Sequence, residues 1–135
     1  MYLYINTTER DSFAVALVND GGVVRTKTVA SNRQHSEKLL ASIQRMLSQA
    51  KASLSDIRGI ACVRGLGSFV SLRIGIATAN ALAYALQIPV VGVSKEQGID
   101  KIAVLFKRRR KTSKTPAIII PEYGREPDII PKKRG

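Results

Sequence analysis

The sequence predicts an α/β domain, and two observations support this class. Short apolar runs with the alternation or length of strands are followed by two longer segments with helical periodicity. A glycine-containing loop at residues 64–68 joins a buried strand directly to the second of these helices. Together they predict a mixed sheet with helices packed on it.

The elements are expected in the order β-β-β-α-β-α-β. The first three strands form an antiparallel meander, because the Asn-Asp-Gly-Gly turn at 19–22 tolerates the positive φ of a tight hairpin. Later strands connect through helices and should lie parallel. This order matches one half of a ribonuclease H-like fold. Strands are predicted at 2–6, 13–18, 23–29, 57–63 and 90–93, and helices at 34–51 and 70–86.

The remaining segments are predicted from weaker patterns. Ser31 and Gln34 have the spacing of a capping box at the start of the first helix. A further strand is expected at 101–106, which would close a domain of residues 1–106. Residues 107–135 are then expected to be a basic segment with a short edge strand at 117–120 and an extended, proline-punctuated tail.

Composition limits the function classes. A chain of 135 residues is long enough for one domain with its own core. Cys62 is the single cysteine, which excludes a disulfide scaffold and favours a reducing compartment. The start lacks the features of a secretory signal, so a cytoplasmic protein is expected. The net charge is +12, of which residues 107–135 carry +7 from ten basic and three acidic residues. A polyanion such as RNA is the expected partner; the alternative is a solubilising tail.

The second predicted helix, at 70–86, is apolar around its whole circumference. Arg73 is the only charged residue between positions 66 and 93, and Gly75, Ala79 and Ala83 recur every four residues as a row of small side chains. One interpretation is a helix buried in its own domain. The other is a helix with one side on its own sheet and the opposite side covered by a second polypeptide. A membrane span is disfavoured, because Pro89 ends the helix early and polar residues interrupt it.

No catalytic arrangement is predicted. His35 is the only histidine and lies at a helix start, where a surface or capping role is common, while Cys62 lies inside an apolar strand. The acidic residues are scattered, so neither a metal nor a cofactor is expected. The loop residues Gly65, Gly67 and Ser68 precede a helix N-terminus, the usual geometry of an anion site, but a glycine-requiring turn between strand and helix explains them equally.

Several motifs resemble one known family. Residues 64–79 are R-G-L-G-S-F-V-S-L-R-I-G-I-A-T-A, and residues 87–94 are Q-I-P-V-V-G-V-S. The set is completed by R-Q-H-S-E-K-L-L at 33–40, I-N-T-T at 5–8 and I-P-E-Y-G-R-E-P at 120–127. These motifs resemble the bacterial TsaB (YeaZ) family of tRNA threonylcarbamoyladenosine biosynthesis proteins. The sequence departs from that family at Asn6 (Asp in the family), Leu66 (Pro) and Val70-Ser71 (Thr-Gly), and most of the second half-domain is expected to be absent.

The resemblance implies a non-catalytic scaffold that pairs with a TsaD-like subunit for threonylcarbamoyl transfer to tRNA, with a TsaE-like ATPase as a further partner and a homodimer when alone. Pairing would use a helical bundle, with Arg73 at its rim as an ion-pair donor or as a cap of the loop. The expected partner-binding residues are His35, Leu39, Ile43, Met46, Phe69, Leu72, Arg73, Ile76, Ala79 and Ala83, and Arg108, Arg109, Arg110 and Lys111 would steer tRNA.

Two alternatives from other classes remain open. The first is an ATP-binding or hydrolytic enzyme of the actin-like or glycoprotease-like kind, which should bind Mg-ATP at micromolar concentration. Asn6 weighs against it, because those ATPases place a metal-binding Asp after the first strand and a neutral amide is a poorer Mg²⁺ ligand. The second is a stand-alone basic RNA-binding module, which should bind tRNA without any partner and lose this binding when residues 107–135 are deleted.

Overall fold

A five-stranded mixed sheet forms the centre of the computed structural model, which describes residues 1–31, 34–67 and 69–109 and leaves out the side chains of Phe69 and Arg109. The strand order is β3-β2-β1-β4-β5. The pairs β1–β2 and β2–β3 are antiparallel, and the pairs β1–β4 and β4–β5 are parallel. The strands are β1 (Tyr2–Asn6), β2 (Ser12–Asn19), β3 (Gly22–Ala30), β4 (Gly59–Val63) and β5 (Val90–Val93).

Helices cover both faces of the sheet. α1 (His35–Gln49) and α2 (Phe69–Leu86) share one core with the inward side chains of the strands, including Leu3, Ile5 and Ile60. α3 (Ile102–Arg109) packs on the opposite face in a second, smaller core. A meander followed by two parallel strands, each reached through a helix, is the ribonuclease H-like half-fold that the sequence predicts.

The strand predicted at 101–106 is wrong, because this segment forms α3. Ile102, Ala103 and Phe106 are the buried residues, a helical rather than a strand spacing. The Phe106 ring stacks on Tyr2 with ring centroids 4.9 Å apart and planes 3° from parallel. Gly59 makes room for this ring, since a Cβ there would lie 2.6 Å from a Phe106 carbon. α3 runs through residue 106, where the sequence placed a domain boundary, and the edge strand predicted at 117–120 lies outside the described residues.

Candidate functional site

The inner side of α2 does not form the surface that the sequence predicts. Leu72, Ile76, Ala79 and Ala83 are all at most 3% exposed and lie in the core with β1 and β4. The same correction applies to α1, whose His35, Leu39, Ile43 and Met46 are also buried. These eight side chains hold the helices on their own sheet, so a partner cannot reach them in the folded chain.

Close packing against the sheet explains the row of small residues on α2. A Cβ at Gly75 would clash with the side chain of Thr7, which follows β1 and is fully buried. The Thr7 hydroxyl has no hydrogen-bond partner among the described residues. Ala79 and Ala83 continue the same buried row along the helix. The small side chains therefore let α2 approach its own strands, a role that the sequence pattern alone could not separate from a contact with another subunit.

The outer side of α2 carries a largely apolar stripe, which we call the outer stripe. It comprises Val70, Arg73, Ala77, Ala81 and Tyr84, whose spacing of three or four residues aligns them along one face of the helix. Val70 is 67% exposed and Tyr84 is 77% exposed. Arg73 is the only charged member. The solvent-facing side of α2 could have been identified from the sequence, because the single charged residue of an apolar helix is expected on the side that faces water.

The outer side of α1 differs in character from the outer stripe. Its exposed residues are mostly polar and include Glu37, Gln44, Arg45 and Ser48 beside Ala41, which is the composition of an ordinary solvated helix. Leu40, at 44% exposure, is the large apolar side chain that α1 leaves open. Two neighbouring helices of similar length thus present different chemistry to solvent. A helix face that exposes mainly apolar side chains is a candidate protein–protein interaction surface.

His35 forms a buried polar link rather than a surface site. Its Nε2 lies 2.9 Å from the carbonyl oxygen of Glu9, and its Nδ1 lies 2.6 Å from Oγ of Ser31. Because a carbonyl oxygen can only accept, Nε2 donates, and in the neutral ring Nδ1 accepts from the Ser31 hydroxyl. Phe13 packs against the ring edge, with centroids 5.3 Å apart. The predicted capping box is absent, because Ser31 bonds to His35 and Gln34 makes no side-chain cap.

The loops after β1 and β4 meet at one edge of the sheet. Asn6 Oδ1 accepts hydrogen bonds from the Thr8 amide at 3.1 Å and from the Thr8 hydroxyl at 2.7 Å. Gly67 lies directly on this turn, since a Cβ there would be 2.6 Å from the Thr8 carbonyl oxygen. A shallow groove of about 330 Å³ opens beside it, lined by Gly65, Leu66, Ser94, Lys95 and Glu96. Ser68 lies outside the described residues. The glycine at position 67 is therefore explained by the tight contact of two loops.

The titratable groups of the described residues give no reactive centre. Burial raises the pKa of the Cys62 thiol to about 12, which keeps it neutral and unreactive. The pKa of Tyr4 is also raised, mainly by burial. Within the described part of the chain no three His, Cys, Asp or Glu side chains come together as a metal site. No helix in that part is both long and apolar enough to cross a membrane.

The basic residues predicted to steer tRNA begin at the end of α3. Arg108 is exposed there and lines a groove of about 390 Å³ together with Lys101, Asp100 and Val104. The neighbouring Lys107 makes an exposed ion pair with Asp20 at 3.7 Å. The Arg109 side chain, Arg110 and Lys111 lie outside the described residues. The structure therefore places one of the four predicted cations on the surface.

Comparison with known proteins identifies one family. The family model described as "TsaD: tRNA N6-adenosine threonylcarbamoyltransferase" matches residues 12–121. The TsaB protein of Escherichia coli K12 is 39% identical over 87 residues, which are 64% of this chain and 37% of that protein. A tRNA N6-adenosine threonylcarbamoyltransferase of Geotalea daltonii is 49% identical over 74 residues, which are 55% of this chain and 21% of that enzyme.

Solved structures give the same family. YeaZ from Pseudomonas aeruginosa superimposes with a TM-score of 0.63 at 33% identity, covering 69% of this chain and 44% of that protein. A protein described as similar to peptidase YEAZ from Pseudomonas aeruginosa has a TM-score of 0.64 at 32% identity, covering 83% of this chain and 49% of that protein. The chain thus spans about half or less of each relative's length. It belongs to the family described as TsaD, tRNA N6-adenosine threonylcarbamoyltransferase, and it is a homologue of TsaB (YeaZ).

Proposed function

We propose that this protein is a non-catalytic subunit that pairs with a TsaD-like subunit through the outer stripe of α2. The observation that carries the proposal is the exposure of Val70 and Tyr84 at the two ends of a helix face that carries small apolar residues and one charge, Arg73. Burying a side chain such as Val contributes about 1.5–3 kcal/mol. A standard interface buries roughly 1,600 Å² in total, so residues outside the stripe but not on the polar side of α1 would also contribute to it.

The non-catalytic role is supported by how the candidate reactive groups are used. His35 and Ser31 are buried in a link between α1 and the loop after β1. Cys62 is buried and neutral. The side-chain amide oxygen of Asn6 accepts two hydrogen bonds within its own turn. Each group has a structural task that accounts for its position, and the partner subunit would supply the transfer chemistry.

The test is the affinity for the TsaD-like subunit of the same organism, measured by isothermal titration calorimetry. We expect Ala77→Arg to weaken binding at least 100-fold, because it places a long cation in the middle of the outer stripe. Ala41→Arg is the matched control: Ala41 is an exposed helical alanine on the polar side of α1, and its variant should bind like the wild type. Equal binding by both variants would place the interface elsewhere.

The finer parts of the proposal concern the assembly. A TsaE-like ATPase would join the pair in the cytoplasm, and the outer stripe would support a weak homodimer when the partner is absent. Arg108 and the following basic residues would contact tRNA phosphates, which predicts affinity that falls steeply with salt. Deleting residues 110–135 should weaken tRNA binding by the complex without disrupting the pair of subunits; unchanged tRNA affinity would contradict this role.

An enzymatic role is the second candidate, and the family match favours it, because the matching family model and several of the curated relatives are threonylcarbamoyltransferases. This alternative predicts that the chain alone binds Mg-ATP at micromolar concentration in a calorimetric titration. The scaffold proposal predicts no heat of binding up to millimolar nucleotide.

A further inference from the structure

Arg73 is a cation within an apolar helix face, and the described residues offer it no ion-pair partner. It is exposed, and its neighbours on the outer stripe, Val70 and Ala77, are apolar. Lys107 and Asp20 form an ion pair away from the outer stripe, where α3 packs on the other side of the sheet. No described acidic side chain therefore neutralises Arg73 within the chain.

Covering the outer stripe would remove water from this guanidinium. Taking a charge out of water is costly unless an opposite charge replaces the lost hydration, and a carboxylate does so well because it accepts two parallel hydrogen bonds from an arginine. A partner that covers the stripe with apolar side chains alone would leave Arg73 buried without a counter-charge. A partner with an Asp or Glu at the facing position would turn the same residue into an anchor.

A second copy of this chain does not meet that requirement. The outer stripe carries no carboxylate, and Glu37 on α1 is the exposed acid that the described parts of these two helices offer. A two-fold symmetric pairing would bring both copies of Arg73 into one interface. Self-association through the stripe thus covers two guanidinium groups and supplies no carboxylate from the stripe to pair with either, whereas a different protein can present a complementary face.

We propose that Arg73 determines which partner binds the outer stripe, by selecting a protein whose apolar helical face carries a carboxylate and by disfavouring a second copy of this chain. The inference rests on the proposed function for the identity of the partner. It goes further in naming the residue that provides specificity and the chemical group that it pairs with. Charge complementarity of this kind usually contributes more to specificity than to raw affinity.

Two variants of Arg73 and one control test the inference, each measured for two associations. Binding to the TsaD-like subunit is measured by calorimetry, and self-association of the chain alone by sedimentation equilibrium. Arg73→Leu should weaken binding to the partner at least 10-fold and strengthen self-association several-fold, because the unpaired cation is gone. Arg73→Glu should weaken partner binding at least 100-fold. Arg45→Leu, on the polar side of α1, should change neither association.

The outcomes separate this inference from the proposed function. If Arg73→Leu binds the partner as tightly as the wild type or more tightly, no carboxylate pairs with Arg73 and the inference is overturned. If the wild type does not bind the TsaD-like subunit, the proposed function fails. The self-association measurement then tests the role of Arg73 by itself. Stronger self-association of Arg73→Leu supports the role of Arg73 against self-pairing, and unchanged self-association refutes it. Unaltered thermal melting curves of the variants exclude an effect through folding.

Discussion

One side of α2 packs in the core and the other faces solvent, and a pair of substitutions two residues apart tests this difference. Ala79 is fully buried and contributes to the core, whereas Ala81 belongs to the outer stripe. Replacing each with Arg gives the same chemical change in the same helix. We expect Ala79→Arg to unfold the protein and Ala81→Arg to leave its free energy of unfolding within about 0.5 kcal/mol of the wild type.

The magnitude at Ala79 follows from its surroundings. Overpacking a close-packed core costs about 1–3 kcal/mol, and an unpaired buried charge costs several kcal/mol more. The guanidinium cannot escape along the helix, because at a rise of 1.5 Å per residue the helix ends, Phe69 and Leu86, lie about 15 and 10 Å away. The free energy of unfolding of a domain is about 5–15 kcal/mol, so a loss of about 5 kcal/mol or more removes a large part or all of it.

Urea unfolding followed by circular dichroism measures both variants. Ala79→Arg should lack a cooperative transition, while Ala81→Arg should keep the wild-type midpoint and slope. A cooperative Ala79→Arg with the wild-type midpoint would show that this side of the helix is not core. Unfolding of Ala81→Arg would show that the outer stripe is covered by the chain itself.

Four further predictions concern the contacts beneath α2 and around α1. Gly75→Ala should lower the free energy of unfolding by about 1–3 kcal/mol in urea titrations, because its methyl group would push α2 off Thr7, and an unchanged midpoint would contradict that packing. Thr7→Val should instead raise stability by about 1 kcal/mol, since it removes a buried hydroxyl that no described residue pairs with, and a loss of stability would indicate a further hydrogen bond. His35→Ala should lower the free energy of unfolding by about 2–4 kcal/mol and speed amide exchange at the start of α1, because the Ser31 hydroxyl loses its hydrogen-bond partner and a cavity remains. Amides at the start of α1 that stay as protected as in the wild type would refute this. Cys62 should resist alkylation in the folded protein at pH 9. Because its pKa is higher in the folded state, the unfolded chain loses this proton first, so stability should fall by about 1.4 kcal/mol per pH unit from about pH 9 towards 12; a flat profile would contradict its burial.

The sheet and its two long helices could be predicted from the sequence because their patterns are local. β1 and β5 begin and end at the predicted residues, and α2 begins one residue earlier than predicted. The segment 101–106 was ambiguous, since a short apolar run has neither the length of a helix nor a strict alternation. Its helical form is explained by the long-range contacts of Phe106 with Tyr2 and Gly59.

The candidate site was harder to predict, because burial depends on contacts that are distant in sequence. The row of Gly75, Ala79 and Ala83 indicates close approach to some backbone, and only the position of Thr7 identifies that backbone as the chain's own. His35 is buried through the carbonyl of Glu9, 26 residues away, which no local pattern indicates. Arg73 was the informative residue, since a lone charge on an apolar helix distinguishes the solvent side from the core side.

The central claim is that the outer stripe of α2 contacts a TsaD-like subunit, and site-specific photocrosslinking tests it most directly. A benzophenone side chain would replace Tyr84 in one variant and Arg45 in a control, both exposed helical positions. We expect the Tyr84 variant to form a covalent adduct with the TsaD-like subunit and the Arg45 variant to form none. An adduct from position 45 without one from position 84 would contradict the assignment.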